Sequence, residues 1–182
     1  MKTVDEDKEL IGRAVAGDSA AFRRLLEAHY TIIFRMAFRF CGNKADAEDV
    51  TQMACMKLAQ NIGQFKGGSA FTTWLYTLVL NTARDWHRSE RRHERGSVTL
   101  EVVENSIPTG ENAEHALANK QAFDQIRALP EGERDAIWLV FGEGLSHKDA
   151  ATVLGCAEGT ISYRIFEARK KLGAVTGGRK HG

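Results

Sequence analysis

The sequence predicts an all-α fold of two small helical domains, at 1–95 and 115–175, joined by a flexible linker at 96–114 and followed by a mobile tail at 176–182. Three observations predict it. Apolar residues recur at i, i+3, i+4, i+7 spacing through both halves of the chain, the period of a helix with one buried face. Only two prolines, Pro108 and Pro130, occur in 182 residues, so long helices meet few breaks. The stretch 96–114 holds no sustained period and includes Pro108-Thr109-Gly110, the composition of a linker.

Residues 1–9 read as a frayed, polar start. Asp18 or Ser19 is placed to cap a long helix. Along that helix Phe22, Leu25, Leu26, His29, Ile33, Met36, Ala37 and Phe40 form a wide apolar stripe. His29 lies on the stripe and reads as a core-edge histidine before a ligand. Cys41-Gly42-Asn43 breaks the helix. Asn43 or Asp46 opens the next, which runs to about Asn61 with Val50, Ala54 and Leu58 inward. Asp46, Glu48 and Asp49 crowd its first turns, where acids complement the helix dipole. A metal role for them is the weaker reading, since no His or acid cluster accompanies them.

Residues 63–69, GQFKGGS, form a glycine-rich loop without the Gly-Lys-Ser/Thr ending of a phosphate loop. A strong helix follows. Phe71, Trp74, Leu75, Leu78, Val79, Thr82 and Trp86 read as its inner face, and Thr72, Thr73, Tyr76, Asn81, Arg84 and Arg88 lie on its other faces. Aromatic, amide, hydroxyl and arginine side chains along one helix suit base stacking and phosphate contact. Trp74 reads as core; Tyr76 is open between the two roles. Residues 84–95 extend the helix with five arginines, Arg91 among them, against three acids. His87 and His93 do not share a helical face, so they are no metal pair.

In the second domain Ala116, Leu117, Phe123, Ile126 and Leu129 define a helix stopped before Pro130. Residues 131–141 give another, broken by Gly142-Glu143-Gly144. Residues 145–172 then carry a helix-turn-helix pattern. Ser146 can cap a first helix over 147–154, and Gly155 ends it in a turn that tolerates positive φ. A second helix starts near 158–160 and runs to about Leu172. Ala151, Gly155 and Ile161 supply a small residue at the crossing, glycine at the bend and a β-branched anchor. Ile161, Ile165, Ala168 and Leu172 face inward. Ser162, Tyr163, Arg164, Glu167, Arg169, Lys170 and Lys171 face outward.

Totals exclude several classes. Lys+Arg 25 against Asp+Glu 24 is near neutral, so distribution matters more than sum. Residues 101–114 hold four glutamates and no Lys or Arg, whereas 164–180 hold six basic residues against Glu167. Cys41, Cys55 and Cys156 are odd in number and far apart, and no signal peptide precedes them, so a reducing cytoplasm is expected and a disulfide framework is not. All three read as structural, Cys41 and Cys55 as small core fillers and Cys156 at the helix-turn-helix bend. No apolar run reaches membrane-spanning length. No cofactor, metal or catalytic residue is expected.

The chain carries D-A-E-D-V-x-Q at 46–52, F-K-G-x-S-A-F-x-T-W-L-Y at 65–76 and N-T-A-R-D at 81–85. It continues with L-P-x-x-x-R at 129–134, G-L-S-x-x-x-A-A at 144–151 and G-T-I-x-x-R-I-x-x-A-R at 159–169. In this order, about the linker, they make the chain resemble a bacterial extracytoplasmic-function sigma factor over about residues 9–173. The resemblance implies a region 2 domain, a region 4 helix-turn-helix domain and a dissociable promoter-recognition subunit of RNA polymerase. It implies that Asp46, Asp49, Gln52 and Met53 meet the clamp helices of core polymerase. It implies minus-ten contacts by Phe65, Lys66, Gly67, Ser69, Ala70, Phe71, Tyr76, Asn81, Arg84, Arg88 and Arg91. It implies minus-thirty-five contacts by Thr160, Ser162, Tyr163, Arg164, Phe166, Glu167, Arg169 and Lys170, with the second domain also touching the polymerase flap. An anti-sigma protein is the expected regulator.

Three positions depart from the family pattern. Met53 stands where a glutamate is usual. Ser162 and Glu167 stand where basic residues are usual, which lowers phosphate attraction and predicts an unusual or weakly read minus-thirty-five element. Two other readings compete. A one-component helix-turn-helix repressor with an N-terminal sensing domain would bind an operator tightly without polymerase. A metal-dependent nuclease would use Asp46, Glu48 and Asp49, but needs converging acids and a base that the sequence does not supply.

Overall fold

The computed structural model describes residues 4–94 and 113–177, with side chains described over 8–90 and 120–173. Most of the linker expected at 96–114, residues 96–112, and the last residues of the tail, 178–182, lie outside the described residues, while Ala113 and Glu114 already belong to a helix. The described secondary structure is helical, and the chain divides into two compact units, Met1–Glu104 and Asn105–Gly182.

The first unit is built on α2, Ser19–Cys41, which packs against α1 (Val4–Val15), α3 (Lys44–Asn61) and α4 (Phe71–Glu94). Its stripe is the core: Leu25, Ile33, Met36 and Ala37 are shut away from solvent. Asp18 caps α2, accepting from the backbone N–H of Ala20 and Ala21 at 3.0 Å each. Gly42 ends it at φ 81°, a conformation that favours glycine. Asn43 then caps α3 through the N–H of Asp46 at 2.9 Å, which settles the choice between Asn43 and Asp46. Val50, Ala54 and Leu58 of α3 are buried as expected, and Thr51 joins them because its hydroxyl donates to the Ala47 carbonyl at 2.6 Å.

The start of the chain differs from expectation. Residues 4–15 are helical rather than frayed, because Leu10 and Ala14, four apart, share one buried face on α2. Arg13 closes the corner by donating to Asp18 at 2.7 Å.

In the second unit α8, Glu158–Gly177, packs against α6 (Glu131–Ile137) and α7 (His147–Leu154), with α5 (Ala113–Arg127) against α6. The helix expected over 131–141 changes pitch at Ile137 and widens into one π turn, Trp138–Gly142, closed by the Glu143 N–H on the Trp138 carbonyl at 2.9 Å. Trp138 is buried there with its ring 5.0 Å from Phe123. The tail also differs: α8 runs to Gly177, past the predicted end near Leu172 and into the residues expected to be mobile.

Candidate nucleic-acid interface

Four surfaces carry the predicted site residues. On α3, Asp49, Gln52 and Met53 share one face at steps of three and four, with Asp49 and Gln52 exposed and Met53 half-buried. Asp46 is not free on that face. Its carboxylate accepts from the Asn43 amide at 2.5 Å, so it works as part of the cap. Met56 was missed by sequence reasoning. It follows Met53 by three residues and is 62% exposed, which makes the face apolar at its centre. The signal was present as a methionine at step seven from Asp49.

The second surface is the loop 65–70. Phe65 anchors it, 5.4 Å from Phe71 and 5.6 Å from Trp74, ring to ring. Phe71 is buried and also meets His29 edge-on at 5.2 Å. His29 is held by the Leu25 carbonyl at 3.0 Å, so it is the core histidine expected. Lys66, Gly67 and Ala70 are exposed and Ser69 half-exposed between these anchors. The aromatic cluster therefore fixes the loop, and the small residues and lysine are what it offers.

The third surface is α4. Asn81 and Arg88 are exposed, and Arg84 is half-buried. Arg88 pairs with Asp85 at 3.8 Å, and Asp85 also accepts from Lys57 of α3 at 3.1 Å, tying the two helices together. The Arg91 side chain lies outside the described residues. Thr73 and Tyr76, placed on outer faces by periodicity, are buried, Tyr76 to 5% exposure. Tyr76 packs into a cationic niche. Burial pushes its phenol pKa up while Arg35 and Arg39 pull it back. Burial and the neighbouring Arg35 push the Arg39 guanidinium down to about 10. Both arginines lie on α2 off its apolar stripe, and sequence reasoning gave them no role.

The fourth surface is α8, set by the helix-turn-helix. Ser146 accepts from the Asp149 N–H at 3.0 Å, and Gly155 turns the chain at φ 62°. Ile161, Ile165 and Ala168 are buried and Leu172 half-buried, as expected. Ser162, Tyr163, Phe166, Arg169 and Lys170 lie exposed on the opposite face, with Tyr163 65% and Phe166 64% exposed. Thr160 and Glu167 are half-exposed. Arg164 is not outward. Its guanidinium lies against Gly132 of α6, where an added Cβ would meet it at 3.0 Å, and donates to Cys156 Sγ at 3.8 Å. Arg169 instead covers the exposed Phe141 ring at 4.9 Å. Lys171, read as outward, is exposed yet tied to Glu133 of α6 at 2.5 Å.

Among the described residues no group of three or more His, Cys, Asp and Glu is placed to hold a metal ion, and no helix is long and apolar enough to cross a membrane. Cys41, Cys55 and Cys156 form no disulfide; Cys41 is buried, and burial raises the Cys55 pKa.

Two family models match: Sigma-70 region 2 over residues 25–93 and Sigma-70 region 4 over residues 121–172. The RNA polymerase sigma-H factor of Pseudomonas aeruginosa is 35% identical with 94% of each chain covered. The extracytoplasmic-function sigma-E factor of Haemophilus influenzae is 33% identical over 91% of this chain and 93% of its own. The chain belongs to the extracytoplasmic-function sigma factors. Members of this family are transcription initiation factors that bind core RNA polymerase and promoter DNA, so the repressor reading falls away. Two solved structures share the fold. CnrH in complex with the cytosolic domain of CnrY is 26% identical, with TM-score 0.71 over 96% of this sigma factor and 99% of that chain. The sigma factor RpoE in complex with the anti-sigma factor NepR, from Bartonella quintana, is 26% identical, with TM-score 0.73 over 87% and 98%.

Proposed function

We propose that this sigma factor divides its work among the four surfaces just described. The α3 face of Asp49, Gln52, Met53 and Met56 docks on core polymerase. An apolar centre ringed by polar groups is the usual anatomy of a protein interface. The loop 65–70 with Asn81 holds an extruded base of the minus-ten element. Its anchors are fixed before DNA arrives, which reduces the ordering cost of capturing a base whose unstacking costs a few kcal/mol. Arg84, Arg88 and Arg91 follow the phosphates just upstream. The exposed face of α8 enters the major groove of the minus-thirty-five element. Phe65, Phe71, Tyr76 and Arg164 act by positioning these groups, since each is packed within its own unit.

The single observation that carries this reading is the burial pattern of α8. Its apolar residues are inside, and its hydroxyl, aromatic and basic residues stand on one exposed face of a helix-turn-helix. An anti-sigma factor is the proposed regulator, covering the α3 face and so competing with core polymerase. The structural relative RpoE, solved in complex with the anti-sigma factor NepR, supports control by such a partner, and the proposed place of action is the cytoplasm. A core-polymerase binding titration tests the division of labour. Gln52→Ala with Met56→Ala should weaken core binding at least tenfold and leave melting unchanged. Ser162→Ala with Tyr163→Ala should leave core binding intact and weaken the upstream footprint. The reverse pattern would sink the assignment.

A further inference from the structure

We propose that His147 is a specificity-determining positioning residue: it accepts the hydrogen bond of the Ser162 hydroxyl, so Ser162 meets DNA as an acceptor and selects A or C on the strand it faces. The inference rests on the reading of α8 as the minus-thirty-five reader. His147 is the first residue of α7 and Ser162 lies in the second turn of α8. Their side chains meet across the helix-turn-helix, His147 Nδ1 to Ser162 Oγ at 2.9 Å. Ser162 is exposed, so the pair sits on the surface offered to the groove.

A serine hydroxyl has one hydrogen and two lone pairs. The competing acceptor for that hydrogen is the Glu158 carbonyl at 3.5 Å, the outer limit of a hydrogen bond. The shorter contact wins. An imidazole carrying its hydrogen on Nε2, the tautomer favoured in water, presents Nδ1 as the acceptor this contact needs. The hydroxyl hydrogen is thereby used inside the protein. What faces outward is oxygen lone pairs.

In the major groove an outward acceptor finds a partner only in an exocyclic amino group, N6 of adenine or N4 of cytosine. Guanine O6 and thymine O4 are acceptors, and would leave two acceptors facing each other. Every base pair carries one amino group in that groove, so the discrimination is by strand. A basic residue at this position would donate and favour guanine. Serine alone would rotate and accept either class. It is His147 that removes this freedom.

The test uses the full chain with core polymerase on a promoter library in which each upstream-element position is randomised in turn, read by transcript sequencing. One position should favour A or C over G or T by about fivefold or more, the scale of a single base-edge contact. The preference should fall below about twofold in Ser162→Ala and in His147→Ala, with no further loss in the double variant. His147→Asn, whose side-chain oxygen can accept where Nδ1 does, should restore most of it. A purely structural role for His147 would lower the melting temperature and activity at all sequences alike. Retention of the preference in His147→Ala, additive losses, or a preference for G or T would overturn the proposal. Wild-type initiation indifferent to every upstream position would remove the reading of α8 itself, a failure visible without any variant.

Discussion

At the scale of the residue, most assignments turn on where one side chain ends up. Asp18 illustrates how capping becomes pH dependence. Its carboxyl is held below the usual value of 3.8, chiefly by the Ala21 N–H and then by Arg13. A depressed acid stabilises the fold fully above its unfolded pKa, and the contribution is lost as pH falls through the lower folded value. Asp18→Asn should therefore melt lower at neutral pH, and the gap to wild type should close as pH drops below about 3.8; equal melting temperatures at pH 7 would contradict this. Tyr76→Ala should cost about 3–5 kcal/mol in urea unfolding, as for other buried aromatics. Tyr76→Phe should cost about 1 kcal/mol, the net value of one hydroxyl contact. Tyr76 also marks a limit of sequence reading. Period placed it outside the apolar stripe, yet α2 supplies Arg35 and Arg39 to receive its hydroxyl end. Those partners lie some forty residues earlier, and no local pattern announces them.

At the scale of the element, local chemistry was legible almost throughout. Asp18, Asn43 and Ser146 cap the helices whose starts they signalled, and Gly42 and Gly155 end the helices they follow. What escaped was set by tertiary contact. α1 forms because α2 offers a surface for Leu10 and Ala14. The π turn at Trp138–Gly142 forms next to the packing of Trp138 on Phe123. Gly155→Ala should destabilise the second unit by about 1–2 kcal/mol, the cost of a side chain in left-handed backbone; denaturant unfolding followed by the fluorescence of Trp138 reports it. On α8, Glu167 sets a half-exposed negative charge beside the basic residues. Glu167→Arg should strengthen upstream footprinting and steepen its salt dependence by about one phosphate contact; an unchanged footprint would show that Glu167 lies away from the phosphates.

At the scale of the whole molecule, the chain divides into two units, each folded around its own core. Six ordered motifs foretold that division, because the motifs at 46–85 and those at 129–169 fall in different units. The roles proposed for Met56 and His147 were not foretold. One needs the exposure of α3 and the other a contact between two helices. Met53 standing where glutamate is usual leaves the α3 face more apolar. Met53→Glu should change affinity for core polymerase while leaving promoter preference untouched, measured by competition against a second sigma factor. The central claim is promoter-directed initiation. Its most direct test is to combine the chain with sigma-free core polymerase on genomic DNA fragments and sequence the transcript starts. Starts should cluster downstream of a shared two-block motif and be lost when Asn81 and Ser162 are replaced together. Starts no different from core polymerase alone, with folded protein and active core, would contradict it.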